Sequence, residues 1–299
     1  MNRLPALTER VPVLDGFRAM AILMVMASHL FGYSMLEREW PAVPRLISKV
    51  TAPGWLGVDL FFVLSGYLIT TILLKKRDDD NYFRSFYARR VRRILPLYLV
   101  MLAVMVIVFG AGWQFVAICM FFGANLLPIF GVVGPAPASV FWSLAVEEHF
   151  YFLWPLTVRR LRRRTLAIVC GTLILAEPTL RYVCSLRGIY TYEYSWFRFD
   201  GLAMGALLAL YLSSEIVSRK TSGRLVGAFI TAFAAGLLLL ILTHAITNAA
   251  NNPAGTLRST VAQSGFSALM LAALEFPGGW VAPLCSGFAR LTPNLSYCL

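Results

Sequence analysis

The sequence predicts an all-α, polytopic transmembrane helical bundle, and three observations carry that prediction: composition, recurring long apolar runs, and the placement of basic residues between those runs. Of 299 residues, 58% are hydrophobic and 14% charged, against about 25% charged in an ordinary soluble domain. Apolar runs of about 17–25 residues cross a hydrocarbon core of ~30 Å as helices, and the chain holds several. The net charge of +12 raises nucleic acid as a partner, since basic patches bind phosphate backbones. The distribution argues for no nucleic acid: Lys75, Lys76, Arg77, Arg84, Arg89, Arg90, Arg92 and Arg93, then Arg159 to Arg164 broken by Leu161, then Arg219, Lys220 and Arg224 form clusters between apolar runs, as cytoplasmic loops do.

The elements follow in order. A polar leader holding Arg3, Arg10 and Arg18 runs into the apolar stretch 19–36. No Ala-x-Ala-like site closes that stretch and further spans follow, so it reads as a retained first helix rather than a signal peptide. With the N-terminus cytoplasmic, 37–54 is an outer loop, 55–74 returns to the basic segment 75–93, and 94–112 goes out again. The next stretch, 113–131, is apolar but contains Asn125, Pro128 and two glycines. As a full span it would make 141–158 deliver Arg159 and its neighbours to the outside, against the positive-inside tendency. It is therefore expected to be re-entrant or non-spanning, and such backbone at membrane depth requires a covering of protein or a water-filled cavity.

Beyond it, 165–183 goes out, 199–213 returns to the basic loop 214–224, 225–244 goes out and 258–276 comes back, giving about 8 complete spans of adequate length. The helix expected to begin near Leu291 stops at Leu299 and reads as truncated. With no internal repeat or long linker, 1–299 reads as a single membrane domain, incomplete at its C-terminus. Cys119, Cys170, Cys184, Cys285 and Cys298 form no C-x-x-C pair and read as small apolar fillers; no metal site is expected. Tyr190, Tyr192, Tyr194 and Trp196 form an aromatic outer loop, open to a headgroup-anchoring or a sugar-stacking reading. Gly201 and Gly205, four apart, suit either a close helix approach or a lipid-facing position. His244 reads as structural.

Ionisable residues inside spans are expensive to bury and are functional candidates by default. Arg18 and His29 are eleven positions apart; eleven steps of ~100° return to within about 20°, some 16 Å deeper, so the two share a helix face. Arg18 either snorkels to headgroups or serves chemistry; His29 either bonds a neighbouring helix or acts as a base.

The segment Leu14-Asp15-Gly16-Phe17-Arg18-Ala19-Met20-Ala21-Ile22, continuing to Ser28-His29, closely resembles the first helix of the acyltransferase-3 family, whose signature is an Arg, ten residues, then a His. Gly57-Val58-Asp59-Leu60-Phe61-Phe62-Val63-Leu64-Ser65-Gly66-Tyr67-Leu68-Ile69 resembles the family's second-helix block almost letter for letter. Phe86 to Pro96 resembles its basic segment, placing the family's arginines on Arg90 and Arg93, one helical turn apart. Trp142-Ser143-Leu144-Ala145-Val146-Glu147-Glu148 resembles the Trp-Ser-Leu…Glu-Glu block, followed by His149 where a Gln is more usual. Weaker echoes lie at Phe197 to Gly201 and at Leu295-Ser296-Tyr297.

The resemblance implies a membrane O-acyltransferase of the bacterial inner (plasma) membrane, of the kind acting on lipopolysaccharide, peptidoglycan or exopolysaccharide. It would move an acyl group, acetyl above all, from a cytoplasmic acyl-CoA to a hydroxyl of an extracytoplasmic glycan or lipid-linked acceptor, among membrane lipids. No cofactor is expected to be tightly bound; acetyl-CoA or another acyl-CoA is a co-substrate. The chemistry needs a base, and His29 is the candidate because imidazole titrates near neutrality. Glu147 is the carboxylate expected to orient it, although Glu147 or Glu148 also suits a structural pairing with a basic residue, as does Asp59. Arg90 and Arg93 are expected to hold donor phosphates through paired charge-assisted hydrogen bonds, against the reading that topology and anionic lipid alone place them there. Arg18 suits donor phosphate or developing oxyanion charge. The competing class is a transporter or flippase, because broken helices and intramembrane charges also line substrate pathways. A truncated, inactive remnant is the third expectation.

Overall fold

The computed structural model describes residues 11–32, 42–214, 217–246 and 252–285. Among the described residues the chain is helical, without strands. The elements are α1 (Pro12–Ala27), α2 (Ala42–Thr51), α3 (Leu56–Lys75), α4 (Tyr82–Ile107), α5 (Trp113–Met120), α6 (Phe141–Arg160), α7 (Arg163–Ser185), α8 (Phe199–Leu212), α9 (Arg219–Leu242) and α10 (Arg258–Glu275). The expected last helix near Leu291 and the echo at Leu295 to Tyr297 lie outside the described residues.

Most boundaries fall within a few residues of the apolar runs, and three departures have physical causes. The helix expected at 19–36 begins at Pro12, whose fixed φ suits a first helical position, and passes into a π-helical turn at Ser28–Gly32, while 33–36 lie outside the described residues. The helix expected at 94–112 begins at Tyr82, because the arginine-rich stretch contains no residue that stops a helix before Pro96. Within the expected outer loop lies α2, a short helix. The stretch 113–131 holds only the 8-residue α5 and a 3-10 segment, Ala124–Phe130; eight residues rise about 12 Å, too little to cross. Asn125, at 0% exposure, bonds there to the Glu193 carbonyl at 3.2 Å and to Ser195 Oγ at 2.8 Å.

Four stretches are long and apolar enough to cross a membrane: Pro12–Phe31, Leu46–Lys75, Arg163–Ser185 and Arg219–Leu242. The chain is a membrane protein. The expected count of about 8 goes beyond what length and apolarity carry, for a physical reason. Arginines crowd the start of α4, carboxylates interrupt α6, and the 14 residues of α8 rise only about 21 Å. Nearly every side chain of α8 is buried, so it packs as a central core element. By contrast, 6% of the apolar window of α9 is buried, and such an apolar surface belongs against lipid.

Helix α3 sits at the centre, against α1, α6, α8 and α10; α8 also packs on α7, and α9 on α10. The basic ends gather at one end of the bundle. Arg77 donates to the Leu161 carbonyl at 2.7 Å, Arg163 to the Ser213 carbonyl at 2.6 Å, and Ser222 to Glu275 at 2.9 Å. The tightest contact joins α3 to α8. A Cβ on Gly66 would stand 1.9 Å from the Leu202 carbonyl oxygen, and one on Gly205 1.9 Å from that of Val63. Of the two readings of Gly201 and Gly205, the close approach is the one found.

Gly205→Val is expected to abolish accumulation of monodisperse protein, because two backbones must separate to admit it, whereas Gly227→Ala, with open space beside it, should leave the yield unchanged. Fluorescence-detected size exclusion of detergent extracts checks both; equal yields would refute the contact.

Candidate active site

A cavity of about 410 Å³ opens between α1, α3, α4 and α6. Ile22, Val25 and Met26 of α1, Phe61 and Phe62 of α3, Tyr98 and Met101 of α4, and Ser143 and Glu147 of α6 are among its walls. Ile22 and Val25 are four and seven positions beyond Arg18, hence on its face of α1. The residues between Arg18 and His29 on that face are thus a wall of this cavity.

Around Glu147, in the wall of this cavity, the structure brings together four of the five sequence candidates. Arg93 is electrostatically coupled to Arg18, Arg90, Glu147 and Tyr151. Arg18 donates to Asp15 at 2.8 Å, one turn back. The Arg90 guanidinium lies 3.2 Å from the centre of the Tyr151 ring, a cation–π contact, and its buried Nε has no hydrogen-bond partner among the described residues. Glu147 accepts from Ser65 Oγ at 2.8 Å and from the Tyr151 hydroxyl at 3.1 Å. Glu148, beside it, has one buried oxygen without a partner among the described residues.

The fifth candidate, His29, stands in the π-helical turn, exposed, one turn beyond Val25 and Met26. Its Nδ1 donates to the Val25 carbonyl at 2.8 Å. A carbonyl only accepts, so the neutral ring carries its proton on Nδ1 and its basic lone pair on Nε2. The hydrogen bonds of Glu147 go to Ser65 and Tyr151; the group fixing the imidazole tautomer is a backbone carbonyl. The turn packs against Ala42–Thr51 and the 3-10 turn Ala52–Trp55.

A second polar cluster lies towards the end opposite the basic clusters, at the starts of α3, α8 and α10 and the end of α7. Arg198 pairs with Asp59 at 2.9 Å, at 1% and 0% exposure, and Arg181 with Asp200 at 2.7 Å, at 2% and 0%. Gln263 donates to Asp59 at 2.8 Å, Thr260 to Asp200 at 2.7 Å, and the Asp200 amide to Glu177 at 2.8 Å. Arg181 also reaches the Phe197 carbonyl and Thr260, and Arg198 reaches Ser259. Asp59 thus takes the structural pairing that the sequence left open. Glu177, Arg181, Gln263 and Thr260 were not singled out from the sequence. Glu177 and Arg181 are four apart within an apolar run, the i,i+4 spacing of one helix face, and that was the available signal. Position 149 is also placed: His149 Nδ1 lies 2.7 Å from Ser195 Oγ.

The sequence profile of the family described as "Acyltransferase domain" matches residues 11–292. The chain is 34% identical over 168 residues to the peptidoglycan O-acetyltransferase OatA of Listeria monocytogenes, covering 48% of this chain and 24% of that protein. It is 34% identical over 202 residues to YrhL of Bacillus subtilis, a candidate peptidoglycan O-acetyltransferase, covering 58% and 28%. It is 30% identical over 231 residues to a candidate O-acetyltransferase of Staphylococcus aureus, covering 67% and 34%. The chain therefore spans about a quarter to a third of the length of these curated relatives. No solved structure matches it significantly.

Removing one partner of a buried pair leaves an uncompensated charge, at a cost of about 3–5 kcal/mol. Asp59→Leu and Arg198→Met are each expected to lose roughly that much stability, and the double variant to lose less than the sum. Thermal unfolding in detergent checks this; additive losses would show that the two side chains act independently.

Proposed function

The chain belongs to the acyltransferase-3 family, and on that premise we propose that it is a membrane-embedded O-acyltransferase. It transfers an acyl group, acetyl in our reading, from acyl-CoA at the basic end to a hydroxyl of a glycan or lipid-linked acceptor presented at the opposite end. The observation that carries this reading is that Ile22 and Val25, between Arg18 and His29 on α1, line one cavity together with Glu147, and that Arg18, Arg90 and Arg93 gather around that carboxylate. The chain lies in the bacterial inner membrane with its N-terminus cytoplasmic, because the basic clusters share one end and positive loops stay inside. About 8 spans follow if α4, α6, α8 and α10 cross as well.

Arg90 and Arg93 hold donor phosphates, for which the planar guanidinium fork is suited. Arg18 lies on the same side. The apolar walls between Arg18 and His29 span about 16 Å along α1, a distance over which an extended pantetheine arm carries the thioester away from its phosphates. At the far end the Nε2 lone pair of His29 takes the proton of the acceptor hydroxyl as its oxygen attacks the thioester carbonyl. The C–S bond then breaks, and the departing thiolate takes that proton back from the imidazolium. Glu147, held by Ser65 and Tyr151, balances the arginines around it and keeps them in register with the cavity mouth.

The test is transfer of labelled acetyl from acetyl-CoA to a glycan acceptor by the full chain in lipid nanodiscs. His29→Ala is expected to lower kcat by about 10²–10⁴-fold, the usual contribution of a general base. Arg90→Ala and Arg93→Ala should each raise the donor KM by roughly tenfold with kcat little changed. Transfer by His29→Ala at the parental rate would remove it as the base.

A further inference from the structure

The stretch 113–131 supplies no group to acyl transfer, yet its side chains pack directly behind the cavity between α1, α3, α4 and α6. We propose that, by fixing Tyr98, it sets the length of the acyl group that the cavity accepts, with Tyr98 as the specificity-determining residue for the donor. The proposal rests on the acyl-transfer reading in taking the ligand to be an acyl-CoA.

Tyr98 stands where the acyl end of such a donor arrives. On α4 the cavity wall runs from Ile94 to Tyr98 and Met101, and on α6 from Glu147 back to Phe141 and Val140. Tyr98 is five positions beyond Arg93, and Phe141 six positions before Glu147. At 1.5 Å per residue the two rings lie about 8 Å beyond that arginine and about 9 Å beyond that carboxylate, away from the basic end. They meet at 5.4 Å between ring centres and so join α4 to α6 there. A donor whose phosphates lie at Arg90 and Arg93 extends its thioester in this direction, with the acyl tail foremost.

The Tyr98 ring is held from behind by 113–131. Its hydroxyl donates to the Cys119 carbonyl at 2.8 Å, which turns the polar end out of the cavity and leaves a ring as the wall. Phe122 stacks on that ring at 4.7 Å, with the planes 20° apart. Phe122 has a φ of 55°, at the end of α5, where its amide donates to the Cys119 carbonyl at 2.8 Å and the Gly123 amide to the Ile118 carbonyl at 3.0 Å. These two bonds form a Schellman ending, whose left-handed position is usually a glycine, because a side chain there strains the backbone. Here the glycine comes one position later, and a phenylalanine occupies the strained position with its ring against Tyr98. The Cys119 carbonyl takes both the Phe122 amide and the Tyr98 hydroxyl, so the two stacked residues are tied to one atom. Phe115, Leu127 and Ala138 are buried in the same cluster, and a close-packed cluster has no room into which a ring can retreat.

The direction of donor preference is therefore diagnostic. In an apolar cavity without a stop, each further buried methylene would tighten binding roughly fourfold, and longer acyl groups would win. Against a fixed ring they meet overlap instead, and the short donor wins.

Equilibrium binding of radiolabelled acetyl-CoA to the full chain in nanodiscs, without any acceptor, and its displacement by unlabelled acetyl-, butyryl- and hexanoyl-CoA, tests this, with empty nanodiscs as the lipid background. The parent chain is expected to bind hexanoyl-CoA about tenfold more weakly than acetyl-CoA. Tyr98→Leu should shift that ratio at least tenfold towards the longer donor. Phe122→Gly, which suits the backbone and removes the ring behind Tyr98, should shift it the same way, and Tyr98→Phe, which keeps the ring, should retain the parent's order. A ratio within one variant does not depend on how much of that variant is folded. Hexanoyl-CoA bound by the parent as tightly as acetyl-CoA, no acyl-CoA bound at all, or a ratio unchanged in Tyr98→Leu or Phe122→Gly would overturn the proposal. Because no acceptor is present, donor selection without transfer counts against the proposed function alone, and transfer without donor selection against this proposal alone.

Discussion

A buried arginine must bring its own counter-charge, and the end of this bundle opposite the basic clusters is organised around two that do. Arg198 with Asp59 and Arg181 with Asp200 join α3, α7 and the start of α8, and Gln263 and Thr260 draw in α10. The Arg198–Asp59 pair spans α3 and the start of α8, two helices that lie closer than an ordinary helix distance. Gly66 and Gly205 remove the side chains that would hold them off, setting backbone oxygen where a Cβ would stand. Close packing is what helices have to associate with in lipid, where burial from water contributes little. The glycines and the ion pairs are therefore one device: packing sets the distance, and charge fixes which groups meet.

The same device divides the interior. Arg198 is held on one side by Asp59 and lies against Phe62, Trp142 and Tyr192. With those rings it stands between an apolar cavity bordered by Glu147 and a second cavity lined by aromatic rings and arginines. The turn at His29 packs on the turn of Trp55, whose ring is in the wall of the second cavity.

Much of the fold was legible because apolar runs and basic clusters are imposed by the solvent. The helices at 141–160, 163–185, 199–212 and 258–275 each lie close to a run visible in the letters. The start of α4 was not, because its arginines look like a loop by hydropathy although they are good helix formers. The site divided in the same manner. Arg18, Arg90, Arg93 and Glu147 were visible through spacing and resemblance, and the structure sets them within reach of one another. What holds the imidazole was not legible, because the group is a backbone carbonyl, and every residue has one. Arg181 and Glu177 escaped notice because each alone looks like an isolated charge in an apolar run; their meaning lies in partners on other helices. The aromatic loop was open between anchoring and stacking, and only a third dimension shows that Tyr190 and Tyr192 face a cavity with arginines in it.

The two groups of arginines differ in chemistry as well as place. Those of α4 stand in half-exposed or exposed positions, coupled to Glu147 and Tyr151, where a guanidinium can exchange partners as a ligand arrives. Arg181 and Arg198 spend their NH1 and NH2 groups on protein oxygens deep in the helix packing. Lysine could not divide itself this way, because its ammonium is a single point charge, whereas the fork of arginine presents two edges. That fork lets one buried arginine hold several oxygens from different helices at once, and through the rings against Arg198 it joins these contacts to Phe62 in the wall of the first cavity.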